Sequence, residues 1–149
     1  MSATTTTPAA ATVASLVEFY EALSPESVTR LHEFYAADAY FKDPFNEMRG
    51  VPAIERVFSH MYSQVADPRF VVLERVVAEN GVLLVWTMHF RRPGGKGAAQ
   101  VIRGASHLKF SEQGKVVWHR DYWDAAEELY AKLPVIGWLM RFLKGRLAA

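Results

Sequence analysis

The feature that most limits what this chain can fold into is a change of hydrophobic period at about Arg69. Upstream, apolar residues recur every three or four positions, as along helices. Downstream they alternate or run nearly unbroken, as along strands. Residues 70–79 are β-rich, and Asn80-Gly81 supplies a two-residue hairpin turn into 82–92. A Pro-Gly-Gly-Lys-Gly stretch at 93–97 makes a longer connection to 99–110, and Glu112-Gln113-Gly114 turns into 115–123. Successive strands joined by short loops predict an antiparallel meander.

The region before the meander reads as helices. Leu16, Phe19, Tyr20 and Leu23 share one face of a first helix. Ser24, Pro25 and Glu26 form a helix start, and Val28, Leu31, Phe34 and Tyr35 give the stripe of a second helix. A short extended piece over 39–45 is broken by Pro44. Gly50 and Pro52 open a third helix with the stripe Ile54, Val57, Phe58, Met61, Tyr62 and Val65, ended by Asp67-Pro68. After the last strand, 125–133 is helical, Pro134 interrupts, and 135–147 resumes as an apolar helix carrying Arg141, Lys144 and Arg146.

Helices followed by a sheet indicate an α+β architecture, in which helices covering one sheet face can leave a hollow. Over 82–90 both alternating sets are largely apolar, so a second copy covering the outer face is expected, making a homodimer. A length of 149 residues fits one domain over 13–149, with 125–149 as a C-terminal helical extension. Residues 1–12, almost all Ala and Thr, read as a disordered tail without the features of a secretory leader.

Composition removes several function classes. Seventeen Lys and Arg against sixteen Asp and Glu give a net charge of +1, which does not favour nucleic acid as a partner. Cys is absent, so neither a thiolate nucleophile nor a Cys-ligated metal is available, and a cytoplasmic location is the expectation. No uncharged apolar run is long enough to span a bilayer. Trp138, Leu139, Met140, Phe142 and Leu143 with the three basic residues are similar to an amphipathic membrane-surface anchor, although a lid or a dimer contact is the more ordinary role for such a helix.

The stretches LVEFYEAL, FYAADAYFKDPFNEMRGVPAI and HLKFSEQGKVVWHRDYW resemble the nuclear-transport-factor-2-like fold, in its ketosteroid-isomerase and SnoaL-like members. The resemblance covers most of residues 16–123. It implies a cone-shaped roll, with a curved antiparallel sheet wrapped around the N-terminal helices. Carried over residue by residue, it puts the general base on Asp43 and the oxyanion-hole donor on Tyr20. Tyr35 would support that donor, while Phe58 and Trp123 line the pocket. The second oxyanion donor of the isomerases, a protonated aspartic acid, falls on Ser106. A hydroxyl is a weaker donor, and loss of one such donor typically costs on the order of 10²–10³ in rate.

Strand alternation adds residues that the resemblance does not name. If Trp123 faces inward, so do Asp121, His119 and Val117, with Ser106, Gly104 and Leu108 facing the same way from the neighbouring strand. Asp43, Tyr20, His119 and Asp121 are therefore the candidate catalytic set, and Tyr35, Phe58, Ser106 and Trp123 the candidate substrate contacts. Each also has a plainer role: Asp43 as a turn residue, Tyr20 as a core tyrosine, His119 and Asp121 as a structural pair, and Trp86 and Trp118 as core or dimer surface. His107 should point to the opposite face from Ser106.

No H-E-x-x-H spacing, Walker loop or G-x-S-x-G elbow occurs, so neither a metal nor a cofactor is expected. These residues are compatible with a cofactor-free isomerase, cyclase or hydratase acting on a hydrophobic carbonyl compound. They are equally compatible with a non-catalytic binder of a hydrophobic small molecule, and less so with a protein-interaction module.

Overall fold

The computed structural model describes residues 4–95, 97–128, 142–143 and 145–146. The meander is present: β3 (Ala66–Ala78), β4 (Gly81–Arg91), β5 (Gln100–Phe110) and β6 (Val116–Tyr122) pair antiparallel in succession. β1 (Tyr35–Lys42) lies parallel to β6, and β2 (Glu47–Arg49) pairs antiparallel with β1. The strand order is β2-β1-β6-β5-β4-β3, an open curved sheet with β2 and β3 at its edges. The sheet is thus mixed, where an antiparallel one was expected. The chain between β1 and β6 returns β6 alongside β1 in the same direction, which no local pattern encodes.

Helix α1 (Ala10–Glu21) buries Val13, Leu16, Val17, Phe19 and Tyr20 against the concave face. It starts earlier than the sequence suggested, and Thr6 bridges Phe110, so the expected tail over 1–12 is in part structured. The run of Ala that resembles low complexity is also the best helix-forming composition.

The second expected helix is a 3₁₀ segment, Ser27–Glu33. Ser24 and Ser27 cap each other, each hydroxyl oxygen accepting the other's backbone N–H, at 3.1 and 2.8 Å. Val28 and Leu31 are buried, and an i,i+3 pair is what 3₁₀ geometry aligns on one side. Tyr35, expected on that helix, instead opens β1.

Helix α2 (Val51–Gln64) begins behind Gly50 and Pro52 as expected, with Ile54 fully buried. Asp67-Pro68 does not simply end it. The pair lies inside β3 as an irregularity, with Asp67 at φ 50°. The hairpin after β3 is also displaced, since Ala78 pairs with Gly81 and the turn residues are Glu79 and Asn80. Gly81 is needed because a Cβ there would collide with the Leu108 carbonyl oxygen.

Helix α3 (Ala125–Glu128) is capped by Asp124, whose Oδ1 accepts the Glu127 N–H at 3.0 Å. The helix expected over 135–147 falls mostly outside the described residues, as does any lid or anchor role for it; Phe142 and Leu143 are helical and exposed. Among the described residues no helix is long and apolar enough to cross a membrane.

Candidate active site

The register of β5 on β6 places Ser106 opposite Asp121 and Leu108 opposite His119. Alternation therefore puts Ser106, His119 and Asp121 on the concave wall, as expected. Its extension to Val117 fails, because Phe110 pairs with Val116 and Lys109 with Trp118, a bulge that leaves Val116 fully buried. On the opposite face His107 meets Trp118 edge-on at 5.0 Å between ring centroids.

Around His119 the side chains form one unbroken hydrogen-bonded run. Nε2 lies 2.6 Å from Asp121 Oδ1, and Nδ1 lies 2.7 Å from the Tyr35 hydroxyl. That hydroxyl is 2.5 Å from the hydroxyl of Tyr20 on α1. On the other side, Ser106 Oγ donates to Asp121 Oδ1 at 2.5 Å, and Trp86 Nε1–H donates to Ser106 Oγ at 2.9 Å. His119, Tyr20, Tyr35, Ser106 and Trp86 are all buried, and the Asp121 side chain is 17% exposed.

Burial drives the hydroxyl pKa of Tyr20 far above the ordinary tyrosine value; its bond to Tyr35 partly opposes this, and the negative charge of Asp121 adds a lesser upward push. Tyr35 is raised for the same first reason, reinforced by Tyr20. Both tyrosines therefore stay neutral and act as hydroxyl donors and acceptors, never as phenolates at ordinary pH.

A small cavity of about 30 Å³ adjoins this run, with Tyr20, Trp86, Ser106, His119 and Asp121 on its walls and Phe58, Phe70, Val72 and Leu84 completing them. That volume holds about one or two water molecules. A second, open groove of about 580 Å³ is lined by residues 42–44 and 120–124. Asp121 borders both spaces, the small inner cavity and the open outer groove.

The structure thus brings Tyr20, Tyr35, Ser106, His119 and Asp121 together, with Phe58 on the same cavity. It places Asp43 and Trp123 elsewhere, on the outer groove. Asp43 is a turn residue: its Oδ1 accepts the backbone N–H groups of Phe45 and Asn46 at 2.8 and 2.7 Å, and the Asn46 amide donates to both oxygens. Trp123 packs edge-on against Phe45, with ring centroids 5.5 Å apart.

Trp86 was expected as core or dimer surface, yet it is both core and cavity wall. Gly104 sits directly across from Trp86 in the ladder, and a Cβ there would lie 2.5 Å from the indole. A glycine one residue pair from a tryptophan on adjacent predicted strands is the signal that could have found it. Among the described residues no group of His, Asp or Glu converges as a metal-binding set.

The profile of the SnoaL-like domain matches residues 16–119. A protein with a ketosteroid-isomerase-like fold from Catenulispora acidiphila DSM 44928, solved with trimethylamine, superposes with a TM-score of 0.68 at 16% identity, covering 83% of this chain and 93% of that one. A protein from Shewanella putrefaciens CN-32, provisionally named a SnoaL-like polyketide cyclase, gives 0.66 at 22% identity over 81% and 97%. TsrD from Streptomyces laurentii gives 0.68 at 20% over 82% and 94%. At these identities the structures establish a shared fold. No match was found among curated proteins.

Proposed function

Because the chain belongs to the SnoaL-like domain family, we propose that it is a cofactor-free acid–base catalyst that moves a proton on a hydrophobic carbonyl compound, as an isomerase, cyclase or hydratase does. The observation that supports this reading is the His119–Asp121 pair on the cavity wall. A carboxylate held by an imidazole and a serine hydroxyl, both on Oδ1, keeps Oδ2 available as a base. Tyr20, neutral and buried, is the matching donor for a carbonyl oxygen. Asp43 is committed to its turn, so the base is assigned to Asp121. The inner chamber takes only the reacting end of the ligand. The remainder lies in the outer groove, against Tyr122 and Trp123.

The test is exchange of α-protons for deuterium in a panel of hydrophobic β-diketones and aryl ketones in D₂O, followed by NMR. Wild type accelerates exchange of at least one compound, and Asp121→Asn removes about 10²–10⁴-fold of that rate, the usual reach of general acid–base catalysis. Binding of these compounds without any exchange would make the protein a ligand carrier instead. Exchange that survives Asp121→Asn would move the base elsewhere.

We also infer that the outer face of the sheet pairs with a second copy of the chain. Leu83, Val85, His107 and Trp118 are only half-buried there. Half-buried apolar side chains on a sheet face favour coverage.

A further inference from the structure

We propose that Tyr35 is a proton conduit, through which the His119–Asp121 pair sets whether Tyr20 presents a hydrogen or a lone pair to the cavity. The inference rests on the acid–base reading above and deepens it, by naming how the base and the donor are coupled.

The Tyr35 hydroxyl has one proton and two close partners, His119 Nδ1 at 2.7 Å and the Tyr20 hydroxyl at 2.5 Å. Its proton can point to only one of them. When His119 is neutral and Nε2–H donates to Asp121, Nδ1 is an acceptor and takes the Tyr35 proton. The Tyr35 oxygen then accepts from Tyr20, whose only proton is turned away from the cavity. When the pair has gained a proton and His119 is an imidazolium, Nδ1–H donates to the Tyr35 oxygen instead. Tyr35 then donates to Tyr20, and the Tyr20 proton is released to face the cavity that this residue lines. Protonation of one buried imidazole therefore reverses both tyrosine hydrogen bonds.

The surroundings of His119 keep this switch isolated. The titratable groups facing it are Asp121 on its own strand, Tyr35 at the head of β1 and Tyr20 on α1. β1 also brings Phe41, edge-on at 4.8 Å, and β5 brings Leu108 and Ser106, none of them charged. Both tyrosines are held neutral by burial, so a proton passes along them by shifts between adjacent oxygens and is not stored on either.

In a turnover the run balances. The starting state has His119 as imidazolium, Asp121 as carboxylate and the intact Tyr20 hydroxyl donating a hydrogen bond to the substrate carbonyl oxygen. Asp121 Oδ2 takes a proton from the carbon next to the carbonyl, and the C–H electron pair forms the new C=C bond. The carbonyl π pair moves to oxygen, which takes the Tyr20 proton. Tyr35 resupplies Tyr20, and His119 Nδ1 resupplies Tyr35. The products are an enol, neutral His119 and protonated Asp121, with no net change of charge. Tyr35, expected as a substrate contact, lines neither the inner cavity nor the outer groove, so its part is that of a positioning residue.

The experiment needs no ligand. The protein is labelled with ¹³Cζ-tyrosine and ¹⁵N-histidine, and its NMR signals are followed through a pH titration. We expect the Tyr20 ¹³Cζ shift to move with the midpoint of the His119 ring nitrogens. In Tyr35→Phe the Tyr20 response is lost while His119 still titrates, and in His119→Gln it is lost in a chain with Tyr35 intact. A Tyr20 signal that ignores the His119 midpoint in wild type overturns the proposal, whether or not the variants fold. So does an undiminished response in Tyr35→Phe, which would show through-space coupling between rings 6.2 Å apart. Because the readout is independent of turnover, its failure leaves the exchange experiment to judge the catalytic reading separately.

Discussion

Adding one methyl group at Gly104 should disturb both the core and the hydrogen-bonded run. The new Cβ would stand 2.5 Å from Trp86 Cη2 and 2.7 Å from Cζ2, where an ordinary contact begins at about 3.4 Å. The indole must therefore retreat by roughly 1 Å. It is held edge-on by Phe70 at 5.4 Å and by its Nε1–H bond to Ser106, and the small cavity that it lines gives it room to move. Overpacking of this kind costs about 1–3 kcal/mol. Loss of the indole–serine bond adds about 1 kcal/mol. Ala is intrinsically better than Gly in a strand, which returns about 0.5–1 kcal/mol. Gly104→Ala should therefore destabilise by about 2 kcal/mol, lowering the urea midpoint by roughly 1 M at the slopes usual for this size. The Trp86 indole N–H signal in a ¹H–¹⁵N spectrum should shift as well, reporting loss of Ser106 as its acceptor. A variant within about 0.5 kcal/mol of wild type, with that signal unmoved, would refute the idea that Gly104 exists to seat the indole.

Other outcomes follow from single residues. The Tyr62 hydroxyl is buried without a partner among the described residues, and burial, followed by the nearby Glu26, pushes its pKa up to about 12. Tyr62→Phe should therefore stabilise by about 1 kcal/mol, raising Tm by about 2–4 °C in calorimetry; a fall in Tm would show an unrecognised partner. Burial, and secondarily Lys109, lowers the pKa of His107. The unfolded chain then takes up that proton at higher pH than the folded one. The stability contributed by neutral His107 is full above the ordinary imidazole pKa and declines as pH falls through it. His107→Gln should lessen the drop in urea midpoint between about pH 7.5 and about pH 5.5, and an unchanged drop would place the effect elsewhere. Asp43→Asn should weaken the Asp43–Asn46 turn without altering α-proton exchange, since Asp43 is not on the inner cavity. Leu83→Lys should shift sedimentation from dimer to monomer if the outer face is the contact, and a wild-type monomer would end that reading.

The amino-acid sequence by itself determined the meander, α1 and α2, because periods of two and of about three and a half are local and survive in any context. It also determined that Ser106, His119 and Asp121 share a face, since alternation along β5 and β6 is fixed by the pleat. Only the tertiary structure decided that β1 lies parallel beside β6, which brings Tyr35 to His119 across 84 residues of chain. The bulge that buries Val116 in place of Val117 was likewise invisible, because one extra residue in a strand leaves its hydrophobic pattern readable in either register. The different surroundings of Asp43 and Asp121 have the same origin. Both are carboxylates near aromatic residues in sequence, and their difference lies in what surrounds them. Backbone amides of a local turn hold Asp43, whereas Asp121 meets an imidazole and a serine hydroxyl carried to the concave wall by different strands. A local motif states which groups are available; only packing states which of them face the same enclosed space.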